Sequence, residues 1–201
     1  MDMKKIKAII FDLNGVFVKS LKLSDRFRRD FGIEEKTFLP ALHDVMSAVR
    51  QPNAGNAYVY WKPYLEKWDV PMNEEQFLRY WFSAENNNPE MVQAAEHLKA
   101  KGVTLFILSN NLRERTAYYN EHFPFLRTLF KKVYYSWQTG FIKPDRQAFE
   151  LLLKENDLRP QECLYFDDSE KNVLAAREMG IESYLFLDAA DVEKRTEESM
   201  A

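Results

Sequence analysis

The 201-residue sequence is short of several things, and each shortage removes a class of protein. One cysteine, Cys163, cannot form an internal disulfide, and its run with Leu164, Tyr165 and Phe166 suits a buried structural thiol. The three histidines, His43, His97 and His122, lack metal-ligand spacing. Charge of one sign is scarce too: 28 Lys and Arg against 31 Asp and Glu leave a net charge of -3 with both signs interspersed. That balance argues against a nucleic-acid partner or an anionic membrane surface. No apolar run approaches the roughly 20 residues of a membrane span. The run after Lys4 and Lys5 stops at Asp12, too soon for a secretory leader. A cytoplasmic protein, monomeric or homodimeric and without a membrane partner, is expected. Repeats and low-complexity segments are missing as well.

What is present begins with Lys7 to Phe17, K-A-I-I-F-D-L-N-G-V-F. Ile6, Ala8, Ile9, Ile10 and Phe11 make a short apolar run that reads as a buried parallel strand over 6–11. Asp12 then falls at its carboxyl end, where open α/β sheets place ligands. A carboxylate there is a metal ligand, a nucleophile or the cap of the next turn.

From Leu21 to about Trp81 no strand runs occur, and apolar residues recur at helical spacing, as in Phe27, Phe31, Leu42, Val45, Met46 and Val49. Pro40, Pro52, Gly55, Pro63 and Pro71 punctuate the stretch into about four short helices. Tyr58, Trp61, Tyr64, Leu65 and Trp68 continue that helical spacing, and Phe77, Leu78, Trp81 and Phe82 make another stripe; the aromatic members from Tyr58 to Trp81 are read as core before they are read as a sugar platform. At Asn88-Pro89 the pattern resets: Asn88 is the expected N-cap, Pro89 the first helical residue and Gly102 the helix end. Strands are expected at Val103–Leu108, Lys132–Ser136, Cys163–Phe166 and Ser183–Leu187. Helices are expected at Leu112–Asn120, Asp145–Glu155 and from Ser169 or Asp168 to Met179. A loop should cover Trp137–Ile142, and the charged tail from Asp188 a loose helix.

Alternating strands and helices imply an α/β fold, a Rossmann-like doubly wound parallel sheet interrupted by an all-helical insert. The division expected is a core of residues 1–20 and 86–201 and a cap of residues 21–85. The strand ends then bring Asp12 and Asn14, Ser109 and Asn110, Lys143, and Asp167 and Asp168 onto one rim. Carboxylates with a main-chain carbonyl make a hard-oxygen site suited to Mg²⁺. A lysine, a hydroxyl and amides at a helix N-terminus suit a phosphate group. Asp12 is placed to attack phosphorus and form an aspartyl-phosphate.

In order along the chain, F-D-L-N-G-V, L-S-N, Lys143 before Pro144, and Y-F-D-D-S-E-K-N-V resemble the four motifs of the haloacid dehalogenase superfamily of hydrolases, subfamily I with a small helical cap. The likeness is in particular to bacterial sugar-phosphate (glucose-1-phosphate-type) phosphatases and the phosphatase domains of epoxide hydrolases. The resemblance implies a Mg²⁺-dependent phosphomonoesterase for a small phosphorylated substrate. In it Asp12 is nucleophile and metal ligand, and Asn14 lends its main-chain carbonyl to the metal. Ser109 and Asn110 bind the phosphoryl group and Lys143 neutralises charge. Asp168 is a direct metal ligand, and Asp167 a second one or a water-mediated partner.

The aspartate pair Asp167-Asp168 departs from true dehalogenases, which need no magnesium, and disfavours carbon–halogen hydrolysis. A second departure is Asn14, which stands where most phosphatases of the superfamily carry a general acid. Such groups contribute typically about 10²- to 10⁴-fold. A slow phosphatase is expected, least handicapped on anomeric or aryl phosphates. The alternative is a phosphometabolite-binding or regulatory protein that has lost turnover.

Overall fold

The computed structural model describes residues 6–200; Lys4, Lys5 and the other residues of 1–5, and Ala201, lie outside the described residues. Seven strands are present among the described residues: β1 (Ala8–Phe11), β2 (Val18–Ser20), β3 (Glu85–Asn87), β4 (Thr104–Ser109), β5 (Lys132–Tyr135), β6 (Cys163–Asp167) and β7 (Glu182–Leu185). Five of them form a parallel sheet in the order β5-β4-β1-β6-β7. The all-apolar text of β1 is explained by its central place, with helices covering both faces. Ile9, Phe11, Leu105, Ile107, Leu164 and Phe166 face one way, toward α5 (Pro89–Ala100), α6 (Arg113–His122), α7 (Phe125–Thr128) and α11 (Ala189–Met200). Ala8, Ile10, Phe106, Leu108, Cys163 and Tyr165 face the other, toward α9 (Arg146–Glu155) and α10 (Glu170–Glu178). Cys163 is fully buried, which pushes its thiol up to about 12, as a structural cysteine should be.

From β1 the chain builds β4 and β5 on one side, then returns to build β6 and β7 on the other. The crevice beyond β1 and β6 is therefore the switch point, where ligands bind in open sheets. β2 and β3, not foreseen from the sequence, pair antiparallel with Val18 opposite Asn87 and Ser20 opposite Glu85. They close the base of the long insertion. With three residues each, they are too short to carry a periodic signal.

Between them lie α1 (Leu23–Phe31), α2 (Glu35–Val49), α3 (Ala57–Lys67) and α4 (Glu74–Phe82), the expected four helices. Their apolar faces form a separate cluster around Phe27, Phe38, Trp61, Phe77 and Trp81. Most of the aromatic stripe is thus core. Pro40 and Pro63 do not punctuate but lie inside α2 and α3. An interior proline costs about 3 kcal/mol, and burial of Phe38, Ala41, Trp61 and Leu65 on either side outweighs it.

Other differences are local. Asn88 precedes α5 but does not cap it; its amide donates to the Val16 carbonyl at 2.9 Å instead, fastening the returning chain to the β1 loop. Ser169 likewise makes no side-chain cap for α10. The expected loop from Trp137 begins as a short helical turn, α8 (Ser136–Thr139), which takes Ser136 out of β5. β7 stops at Leu185 because Leu185 and Leu187 are exposed and have no core to enter. The tail is a regular helix that buries Val192 and Thr196.

Phe27 is fully buried among the rings of Phe31, Phe38, Trp61, Trp68, Phe77 and Tyr80. Phe27→Ala should lower the unfolding free energy by about 3–5 kcal/mol, read from urea titrations. A loss below about 1 kcal/mol would show that the helical insertion does not depend on this cluster.

Candidate active site

β1 ends at Phe11, and the Asp12 N–H donates to the Phe166 carbonyl at 2.9 Å, so the ladder to β6 runs one residue further. That bond sets Asp12 at the rim opposite Asp167. Lys143 reaches the same point after β5. Its Nζ lies 2.7 Å from Asp12 Oδ1, 2.6 Å from Asp167 Oδ2 and 3.1 Å from the Tyr165 hydroxyl. All three charged groups are buried, with Asp167 fully so. Burial alone would lower the Lys143 ammonium; Asp12 and Asp167 outweigh it and hold the group above its ordinary value. Burial pushes the Asp12 carboxyl up to about 6, with Lys143 opposing and Asp167 and Asp168 adding to the rise.

Asp167 has little capacity left. Its Oδ1 accepts from the Ser169 N–H at 2.8 Å and from the Asn172 amide, and its Oδ2 accepts from Lys143, Asn172 and the Tyr165 hydroxyl. Asp168 differs in being exposed, its carboxyl raised by burial of its surroundings and by Asp167. Oxygens of Asp12, Asp167 and Asp168 lie within 4.8 Å of one another. Gly15 allows this closeness. Its φ is +91°, and a Cβ there would lie 2.0 Å from Asp168 Oδ2, so no side chain fits between the first loop and the fourth.

Ser109 ends β4 with its hydroxyl buried and without a hydrogen-bond partner. Such an orphan is uncommon, and it stands beside Asn110, which lines the cavity with Asp12, Lys143 and Asp168. The Asn110 side chain is engaged: its amide donates to the Lys143 carbonyl and its oxygen accepts from the Lys143 N–H, both at 2.8 Å. It therefore holds the Lys143 backbone in place.

Asn14 is held in a network that sequence reasoning missed. Its amide donates to the Tyr119 hydroxyl at 2.6 Å, and its oxygen accepts from the Asn111 amide at 3.3 Å. Tyr119 donates in turn to Glu85, which pairs with Arg115 at 2.6 Å. Burial, with Glu85 beside it, holds the Tyr119 hydroxyl well above its ordinary value. Glu85 from β3 and Arg115 and Tyr119 from α6 carry no local sequence pattern, since their meeting is tertiary: the β2–β3 pairing places Glu85 and the packing of α6 on the core places the other two. Asn172 stands within the fourth run quoted above, and Asn111 directly follows L-S-N, so both were open to notice.

Every residue expected at the site is thus on one rim: Asp12, Asn14, Ser109, Asn110, Lys143, Asp167 and Asp168. Residues 6–180 match the model of a family described as haloacid dehalogenase-like hydrolase. The chain belongs to that family. Among the relatives of this haloacid dehalogenase-like chain is bifunctional epoxide hydrolase 2 of Rattus norvegicus, 32% identical over 125 residues, 57% of this chain and 21% of that protein. The chain thus spans about a fifth of such relatives. A phosphorylated carbohydrates phosphatase of Thermotoga maritima is 25% identical over 194 residues, 88% of this chain and 83% of that protein. An enzyme of the same superfamily from Bacteroides thetaiotaomicron shares the fold with TM-score 0.81 at 22% identity, covering 96% of this chain and 98% of its own. It has also been solved in complex with magnesium and inorganic phosphate, matching at TM-score 0.77 and 20% identity over 91% of this chain and 95% of its own.

Lys143→Met would leave Asp12 and Asp167 buried without their shared cation. Removing one partner of a buried pair costs about 3–5 kcal/mol, and urea unfolding of the metal-free variant should show a loss of that size. An unchanged midpoint would mean that the lysine contributes nothing to holding the rim together.

Proposed function

We propose that this chain is a Mg²⁺-dependent phosphatase that hydrolyses a small phosphorylated metabolite, such as a sugar phosphate, through an aspartyl-phosphate on Asp12. One observation carries the reading: Asp12, Asp167 and Asp168 converge within 4.8 Å beside a buried lysine and an orphaned hydroxyl. The Thermotoga relative, named as a phosphatase of phosphorylated carbohydrates, supports it. We further divide the chain into a core of residues 6–20 and 86–200 and a cap of residues 21–85, since the cap helices keep their own apolar cluster.

The donor set fits the metal. Asp12, Asp168 and the main-chain carbonyl of Asn14 would hold Mg²⁺, with Asp167 behind them because Lys143, Ser169 and Asn172 already occupy its oxygens. Bound there, the ion would neutralise charge on the phosphoryl oxygens. The chain's own groups do the rest. Asp12 attacks phosphorus, the ester P–O bond breaks, and the leaving oxygen departs with its electron pair. Lys143, in contact with Asp12 at 2.7 Å, orients the nucleophile and offsets the added negative charge. Ser109 offers its unpaired hydroxyl to a phosphoryl oxygen. Water then attacks the phosphorus of the acyl phosphate, frees inorganic phosphate and restores the Asp12 carboxylate.

The leaving oxygen must take its proton from water, because the amide of Asn14 has none to give at neutral pH. Its attachment to both Tyr119 and Asn111 favours a second reading, a protein that binds a phosphometabolite without turnover. Phosphate release from an aryl phosphate and a panel of sugar phosphates separates the two. Release that requires magnesium, stops with chelator and disappears in Asp12→Asn is the expected result. Release from none of them, by protein that is folded and binds magnesium, would favour the binding protein.

Asn14→Asp should raise turnover of poor leaving groups by about tenfold or more, within the usual range for an added general acid. A rate unchanged or lower in steady-state assays would remove the missing acid as the limiting defect.

A further inference from the structure

Beside Lys143, three cations line the site and are unused by the phosphatase chemistry: Arg50, Arg115 and Lys171, the last exposed at the first turn of α10. Arg50 closes the C-terminal end of α2, in the cap, yet it lines the same cavity of about 380 Å³ as Asp12, Asn14, Lys143 and Asp168. It also lines a second cavity of about 260 Å³ between β2 and the cap, with Leu42, Met46 and Trp81. Arg115 is common to both cavities. The two guanidiniums differ in their partners. Arg115 is paired with the buried Glu85 carboxylate at 2.6 Å, whereas the buried Nε of Arg50 has no hydrogen-bond partner. Burial and the like charge of Arg115 both pull the Arg50 guanidinium below its ordinary value, and Asp12 opposes them. A half-buried guanidinium beside a second one, with its Nε donor out of water and unmet, is an unfavourable arrangement that an anion would relieve.

Lys143, the Ser109 hydroxyl and the metal-binding carboxylates already serve the transferring phosphoryl group. Arg50 comes from the end of α2 and not from the strand ends, and an in-line displacement puts the leaving oxygen away from Asp12 and its strand. We propose that Arg50 is a specificity residue that binds a second anionic group, a carboxylate or a further phosphate, carried on the leaving-group side of the phosphate ester. The inference rests on the phosphatase reading and narrows its substrate class. Guanidinium suits the role because its planar fork meets either anion with paired N–H donors. Such a contact would also join cap to core across the substrate, so the cap would close best over a molecule that carries the second charge.

Three sugar phosphates with one anomeric leaving position test it: glucose 1-phosphate, glucuronic acid 1-phosphate and glucose 1,6-bisphosphate. The wild-type protein with magnesium should favour at least one charged member over glucose 1-phosphate by about tenfold or more in kcat/KM, the scale of one charge-assisted contact. Which member is favoured tells carboxylate from phosphate. Arg50→Gln should bring that ratio to within about threefold of one, mainly through KM, while Arg50→Lys keeps part of it. No preference in the wild type, a preference that survives Arg50→Gln, or an equal loss on all three substrates would overturn the assignment; the last would place Arg50 on the transferring phosphoryl group. If nothing is hydrolysed, the phosphatase reading fails separately. Calorimetric titration of the same three ligands into magnesium-loaded protein then decides: tighter binding of a charged ligand that Arg50→Gln removes supports the second-anion contact, and equal binding refutes it.

Discussion

The ammonium of Lys143, out of water and shared between Asp12 and Asp167, is the contact on which the rim depends. Two carboxylates brought this close without it would repel each other, and burial would drive at least one to take a proton. With it, Asp12 can stay at the end of the central strand and Asp167 at the end of its neighbour, each within 2.7 Å of the same nitrogen. The lysine comes from a loop, not from a strand, so its own position has to be secured. Asn110 does this by bonding both the N–H and the carbonyl of Lys143, which ties the end of β4 to the loop after β5. Asn172 and the Ser169 N–H do the same for Asp167 from the start of α10. The polar network is thus closed almost everywhere, which matters because a half-satisfied buried network is costly.

Four buried side-chain atoms stay unpaired among the described residues, on Arg50, Trp61, Ser109 and Tyr135. The Ser109 hydroxyl and the Arg50 Nε are buried and unpaired, and both stand at the cavity or beside it. The same absence at Trp61 Nε1, inside the cap cluster, has no such setting, and the structure offers no physical account of it. Asp168 keeps its exposure because Gly15 withholds a side chain from the space that the carboxylate occupies. An alanine at position 15 would meet both a strained φ and a collision with an oxygen that the metal reading needs. The glycine in F-D-L-N-G-V therefore matters for approach between loops as much as for the turn.

How legible this was in the sequence varied with the range of the interaction. The strand ends carrying Asp12, Ser109 and Asp167 could be read directly, because a short apolar run broken by polar residues is a local signal. So could the four cap helices, from their apolar spacing. Pro40 and Pro63 misled because proline is a local breaker, whereas the packing of Phe38 and Trp61 that overrides it is tertiary. The strands β2 and β3 escaped for a different reason: at three residues each, their existence depends on one another. Glu85, Arg115, Tyr119 and Arg50 were invisible for a related reason: they come from β3, α6 and the end of α2, and only tertiary packing makes them neighbours.

That hidden group bears on why Asn14 is tolerated. Tyr119 lies between Asn14 and Glu85, donating its one proton to Glu85 and accepting from the Asn14 amide. Asparagine is matched to this slot, because its amide supplies the donor that the tyrosine oxygen lacks. An ionised aspartate in the same place would supply none. It would face Glu85 across a single hydroxyl, with Arg115 already committed to that glutamate. The arrangement would then relax in one of two ways: Tyr119 turns its proton to position 14, or the carboxyl at position 14 takes up a proton itself. The second is the state that a general acid must occupy, since like charge and burial both raise a carboxyl toward neutral pH. The surroundings of Asn14 thus hold a neutral side chain without strain, and they would also favour the protonated form of an acid placed there.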